Sequence, residues 1–74
     1  MALRVRTGDV YWEVSGVKVS RMEKDGFDKE DALGVVEAMS DQGKEHRPGV
    51  SFRFGVYCLL VGEDNVIRKD GRIL

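Results

Sequence analysis

The chain contains one cysteine and one histidine, Cys58 and His46, the side chains best suited to nucleophilic or metal chemistry. A structural zinc site takes four ligands, mostly Cys and His, so this pair cannot build one. A catalytic cysteine needs a nearby base that holds it as the thiolate. Because Cys58 lies in the most apolar stretch of the chain and His46 in a polar loop, we expect a buried, inert thiol on the core face and a solvated imidazole.

Two short segments are similar to ligand-binding loops but lack required residues. Glu23–Gly26 has the composition of a calcium loop, yet Arg21 and Ala32 occupy positions where an EF-hand has acids. Gly43-Lys44 is similar to the end of a phosphate-binding loop, but Glu45 follows where Ser or Thr is required. We therefore predict that the protein is not an enzyme and that it holds no metal and no cofactor.

The charges are segregated along the chain although they nearly cancel, at 12 basic and 13 acidic residues. Residues 23–45 carry a net charge of −5, and the flanking segments 1–22 and 46–74 carry +2 each. An acidic helix surface would attract a basic protein partner, and we assign this role to Glu30, Glu37 and Asp41. The alternative is that these acids only stabilise the start of a helix.

The basic residues of the strands also have two interpretations. Lys and Arg on sheet edges prevent edge-to-edge pairing. Alternatively they contact nucleic-acid phosphates, with tyrosines stacking on bases. The residues assigned to this second role are Arg4, Arg6, Arg53, Arg68, Lys69 and Arg72.

The first half of the chain predicts strands followed by one helix. Leu3–Arg6 has the alternation of a strand, and Val10–Val14 and Val17–Arg21 flank Ser15-Gly16 as a hairpin. Asp28 is a suitable N-cap, and Gly43 is suited to end a helix over residues 29–41. The side of this helix that faces the core is predicted to carry Ala32, Leu33, Val36 and Met39, with Val35 at its edge. Close packing of the helix on the sheet explains why a glycine, Gly34, lies within it.

Alternation of apolar residues from Val50 to Val61 predicts one long strand, bent at Gly55. Its predicted core face consists of Val50, Phe52, Phe54, Val56, Cys58 and Leu60. The opposite face carries Tyr57, Leu59 and Val61, which either lie under a terminal hairpin or contact a partner or a second subunit. That hairpin would join Val66–Lys69 to residues 72–74 through Asp70-Gly71, after a turn at Gly62–Asn65.

These elements predict a single α+β domain over residues 1–74. We expect a small antiparallel sheet of about four to six strands. The predicted order is β-β(-β)-α-β-β(-β), with the one helix packed on one face of the sheet.

The function predicted from the sequence is a small non-enzymatic protein–protein interaction module, an adaptor or an inhibitor. A compact chain without motifs is similar in kind to phage-encoded inhibitors of host enzymes or defence complexes. The apolar strand face also suits a homodimer. The alternative is a nucleic-acid-binding domain. The lone cysteine and the lack of a signal peptide or membrane-length apolar run predict a cytoplasmic protein without membrane contact.

Overall fold

A computed structural model describes residues 10–70, which form one sheet and one helix packed on it. The helix α1 spans Lys29–Asp41, and a single 3-10 turn precedes it at Glu23–Asp25. The strands are β1 Tyr11–Val14, β2 Val17–Ser20, β3 Ser51–Phe54, β4 Tyr57–Val61 and β5 Val66–Lys69. The predicted α+β fold with one helix on one sheet face is therefore confirmed.

The sheet order is β1-β2-β5-β4-β3, and every pairing is antiparallel except that of β2 with β5. The predicted antiparallel sheet is thus mixed at its centre. The predicted strand at Leu3–Arg6 and the terminal strand over residues 72–74 lie outside the described residues, as do Arg4, Arg6 and Arg72 of the nucleic-acid hypothesis.

The predicted β1–β2 hairpin is confirmed. Ser15 and Gly16 have φ of 52° and 80°, the two positive values that a type I′ turn requires. This turn pairs Val14 with Val17 and places both side chains in the core.

The predicted helix bounds, 29–41, are also confirmed. The Asp28 carboxylate accepts a hydrogen bond from the Asp31 N–H, and the Asp31 carboxylate accepts one from the Asp28 N–H. This reciprocal capping box gives the Asp28 amide a partner and adds a second acceptor for the Asp31 amide, which also donates to the Asp28 carbonyl. Gly43 follows the helix with a φ of 68°, in the left-handed region that favours glycine.

The predicted core stripe of the helix is wrong at Leu33. Ala32, Val35 and Met39 are buried against the sheet, whereas Leu33 is 48% exposed. Each residue advances about 100° around a helix. Leu33 is therefore turned away from the side that Ala32 and Val35 share, and Val35 lies within the core rather than at its edge.

The predicted long strand over 50–61 is wrong, because the chain reverses at Gly55-Val56. Gly55 has a φ of 60°, and the reversal makes β3 and β4 an antiparallel hairpin that pairs Phe54 with Tyr57. Directly paired residues share a face. Tyr57 therefore lies on the same side as Phe54.

The reversal moves the predicted outer residues into the core. Leu59 and Val61 are fully buried there, and Tyr57 packs against it. Val56, assigned to the core, is 93% exposed at the turn, and the register places Cys58 and Leu60 on the opposite face. We call this opposite side of the sheet the helix-free face.

Four aromatic rings close one end of the core around Phe27. The Phe27 ring lies 6.2 Å from Trp12, 6.3 Å from Phe54 and 5.8 Å from Tyr57, measured between ring centroids. These distances are within the range of favourable aromatic pairs, and the last two pairs have edge-on geometry. Phe27 thus joins the start of α1 to β1, β3 and β4.

Gly34 packs closely against Phe54 of the β3–β4 hairpin. A Cβ atom there would lie 2.9 Å from Cε1 of Phe54, so the prediction of close packing is confirmed. Gly34→Ala gains about 1 kcal/mol of helix propensity. Overpacking costs about 1–3 kcal/mol, so we expect the variant to lose about 1 kcal/mol in urea unfolding. Ser40→Ala, exposed on the same helix, should lose nothing; a stabilised Gly34→Ala would contradict this packing.

Candidate protein-binding surfaces

The outward side of α1 carries the three acidic residues predicted to bind a partner. Glu30, Glu37 and Asp41 are all exposed. At about 100° per residue they lie within roughly 20° of one line, which extends about 16 Å along the helix. The structure therefore brings the predicted carboxylates together on one surface.

An apolar side chain lies beside this line of acids. Leu33 is one turn from Glu30 and from Glu37, at the spacings where helix side chains are neighbours. It is half-exposed, whereas the other long apolar side chains of α1 are buried or partly buried. We call Glu30, Leu33, Glu37 and Asp41 the α1 stripe. An apolar residue ringed by polar ones is the arrangement found at protein interfaces.

The carboxylates of the α1 stripe form no ion pairs with any of residues 10–70. The ion pairs in this part of the chain use other acids, namely Arg21–Glu23, Arg47–Glu45, Arg68–Asp64 and Lys69–Asp25. No described cation therefore neutralises the negative charge of the stripe.

Tyr57, Leu59 and Val61, the other predicted partner-binding residues, do not form a surface. Their side of β4 faces α1, and Leu59 and Val61 are inaccessible. The structural basis for assigning them to a partner or to a homodimer is thereby removed.

The described basic residues of the nucleic-acid hypothesis do not form one patch. Arg68 donates two hydrogen bonds to the Asp64 carboxylate, at 3.0 and 2.7 Å. This pairing holds the pKa of Asp64 well below its ordinary value, despite the opposing effect of desolvation. Lys69 is paired with Asp25 at 3.0 Å, and its register opposite Leu59 places it on the helix side. Only Arg53 among the described members is exposed without a side-chain ion pair.

Cys58 and His46 do not lie together. His46 Nε2 lies 2.8 Å from the carbonyl oxygen of Asn65, which follows β4, whereas Cys58 lies toward the other end of that strand. The imidazole is partly buried rather than fully solvated, and the thiol is half-buried on the helix-free face rather than in the core. A Cys–His catalytic pair is absent.

Sequence reasoning missed two residues of these surfaces. Leu33 was assigned to the core because it is adjacent to Ala32 and three residues before Val36, a spacing that is compatible with the apolar side of a helix. Gln42 was given no role, yet its side chain contacts the backbone of Arg53 on β3. No residue pattern identifies such a contact, because it joins a helix end to a strand edge 11 residues later.

Comparison of the chain with protein-family models, curated proteins and solved structures finds no match. Within residues 10–70, no three His, Cys, Asp or Glu side chains are grouped so that they could hold a metal ion. The helix in this range is too short and too polar to cross a membrane.

Proposed function

We propose that the protein is a small non-enzymatic protein–protein interaction module, an adaptor or an inhibitor, whose α1 stripe binds a basic surface of another protein. The observation that carries this proposal is the half-exposed Leu33 beside Glu30 and Glu37, which form no ion pair within residues 10–70. A leucine that contributes little to its own core supplies apolar contact, and the carboxylates around it supply charge complementarity.

The same observation argues against self-association through this surface. Two copies of the α1 stripe would bring Glu30 and Glu37 of each copy near those of the other, and like charges across an interface are unfavourable. A basic partner has no such penalty. The nucleic-acid alternative has less support, since Arg68 and Lys69 are engaged in ion pairs.

Charge reversal on the α1 stripe is expected to weaken capture of the partner. The protein is used as bait in extracts of its own host, with Glu30→Lys/Glu37→Lys compared with wild type. Because rim charges govern the association rate, we expect at least about a tenfold slower association with any partner purified in this way. Quantitative mass spectrometry and then surface-binding kinetics measure the effect.

The matched control is Glu13→Lys/Glu63→Lys, which changes the net charge equally at two exposed acids elsewhere on the molecule. This control should retain the partner at the wild-type rate. Equal behaviour of the two variants would refute a role for α1, and capture that nuclease treatment abolishes would favour nucleic acid instead.

A further inference from the structure

Strand β3 is an edge of the described sheet. Every second residue of this strand directs its backbone N–H and C=O groups away from β4. The Val61 N–H donates to the Val50 carbonyl at 2.9 Å. In an antiparallel pair such bonds recur at every second residue, so the even-numbered residues of β3 are the ones that are hydrogen-bonded to β4. The N–H and C=O groups of Ser51 and Arg53 therefore point outward from the sheet. Such groups are a template for another strand.

The side chain of Gln42 occupies part of this edge. Its Nε2 donates to the Arg53 carbonyl at 2.7 Å, and the Arg53 N–H donates to its Oε1 over a longer 3.4 Å. A primary amide carries the same donor and acceptor as a peptide group. Gln42 thus makes with Arg53 the two bonds that a residue of an added strand would make, and it covers Arg53 alone.

We propose that the outer edge of β3 binds an extended segment of a partner polypeptide as a sixth strand, and that Gln42 is a built-in competitor for that position. An added strand would displace the Gln42 amide and pair with both Ser51 and Arg53. Main-chain hydrogen bonds would supply affinity, as in other cases of strand addition. This site is separate from the α1 stripe and does not depend on it.

The charge at this edge indicates that the added segment is acidic. A groove of about 320 Å³ extends from Gln42 and this edge to Cys58 of β4, and its charged lining residues are Lys44, Arg53 and Asp70. Lys44 and Arg53 are exposed and form no ion pair with residues 10–70. Pairing of two β3 edges would bring the same cations of two copies together, so a second copy of this chain is disfavoured as the occupant.

The experiment uses a capped peptide, Ac-Thr-Val-Glu-Val-Glu-Val-Thr-NH2, titrated into the whole protein and followed by amide NMR. We expect shifts at Ser51 and Arg53 and at the Gln42 side-chain amide, with a dissociation constant of about 1 mM for wild type. Removal of the competitor in Gln42→Ala should tighten binding about threefold to tenfold. Ser40→Ala, exposed on the same helix, should bind as wild type does.

Two peptide controls test the mode of binding without altering the protein. The N-methylated peptide cannot donate main-chain hydrogen bonds and should not bind, and the peptide with Lys in place of Glu should bind more weakly. Absence of shifts at Ser51 and Arg53 in both wild type and Gln42→Ala overturns the proposal. Equal peptide affinity of wild type and Gln42→Ala also overturns it. A Gln42→Ala variant that sediments as a dimer instead of binding peptide has the same consequence.

Discussion

Leu59→Ser is expected to leave the chain largely unfolded. Leu59 is 0% exposed in the centre of the core. Truncation of a buried leucine costs about 2–5 kcal/mol. A buried hydroxyl without a partner adds about 1–3 kcal/mol. A core of this size supplies only about 3–5 kcal/mol in total, so the loss is comparable to the whole stability. Far-UV circular dichroism and amide NMR dispersion measure the outcome.

The adjacent residue is the matched control. Leu60 lies on the helix-free face and is only partly buried, so Leu60→Ser should remain folded and lose about 1 kcal/mol. A single long strand over 50–61 predicts the reverse ranking, with Leu60 inside and Leu59 outside. A Leu60→Ser variant less stable than Leu59→Ser would therefore contradict the β3–β4 hairpin.

The β3–β4 hairpin shows why an alternating pattern can mislead. A two-residue turn pairs residue 54 with residue 57, so the core face changes from even positions in β3 to odd positions in β4. The sequence Phe54-Gly55-Val56-Tyr57 continues the alternation of apolar residues through the turn and conceals this change. A signal was present, because glycine at the first of two turn positions is typical of a type II′ hairpin.

Local signals predicted the β1–β2 hairpin, the helix and strand β5 correctly. The capping box at Asp28, the left-handed Gly43 and the Ser15-Gly16 turn each involve residues only a few positions apart, so their chemistry can be read from the sequence. The parallel pairing of β2 with β5 joins Val19 to Ile67 across most of the chain. No local pattern specifies that partner, because the two residues are far apart in sequence and meet only through their burial in the common core.

The candidate site was predictable only in part for the same reason. The charge pattern assigned Glu30, Glu37 and Asp41 to the outward surface of the helix, and all three are exposed. The exposure of Leu33 and the Gln42–Arg53 contact depend on how α1 lies across the sheet. That orientation is set by close contacts such as the one between Gly34 and Phe54, which the sequence alone does not display.

Phe27→Ala is expected to lower the free energy of unfolding by about 3–5 kcal/mol, the usual cost of removing a buried phenylalanine. Because a core of this size supplies no more than about that amount, the variant should already be largely unfolded before urea is added. Phe27 is 5% exposed and contacts three other rings. Its ring also precedes the N-cap Asp28, so its loss frees the start of α1 from the sheet. Urea unfolding followed by the fluorescence of Trp12, the only tryptophan, reports on this cluster directly.

Phe27→Leu separates the two contributions of this ring. Leucine keeps most of the apolar volume but removes the aromatic pairs, each worth about 0.5–1.5 kcal/mol. The variant should therefore fall between wild type and Phe27→Ala, whereas Leu33→Ala, on the exposed side of α1, should change stability by less than about 1 kcal/mol. Equal losses for Phe27→Leu and Leu33→Ala would show that Phe27 does not organise the cluster. An intermediate Phe27→Leu would instead establish that ring contacts, in addition to burial, fix α1 on the sheet and so hold the α1 stripe outward.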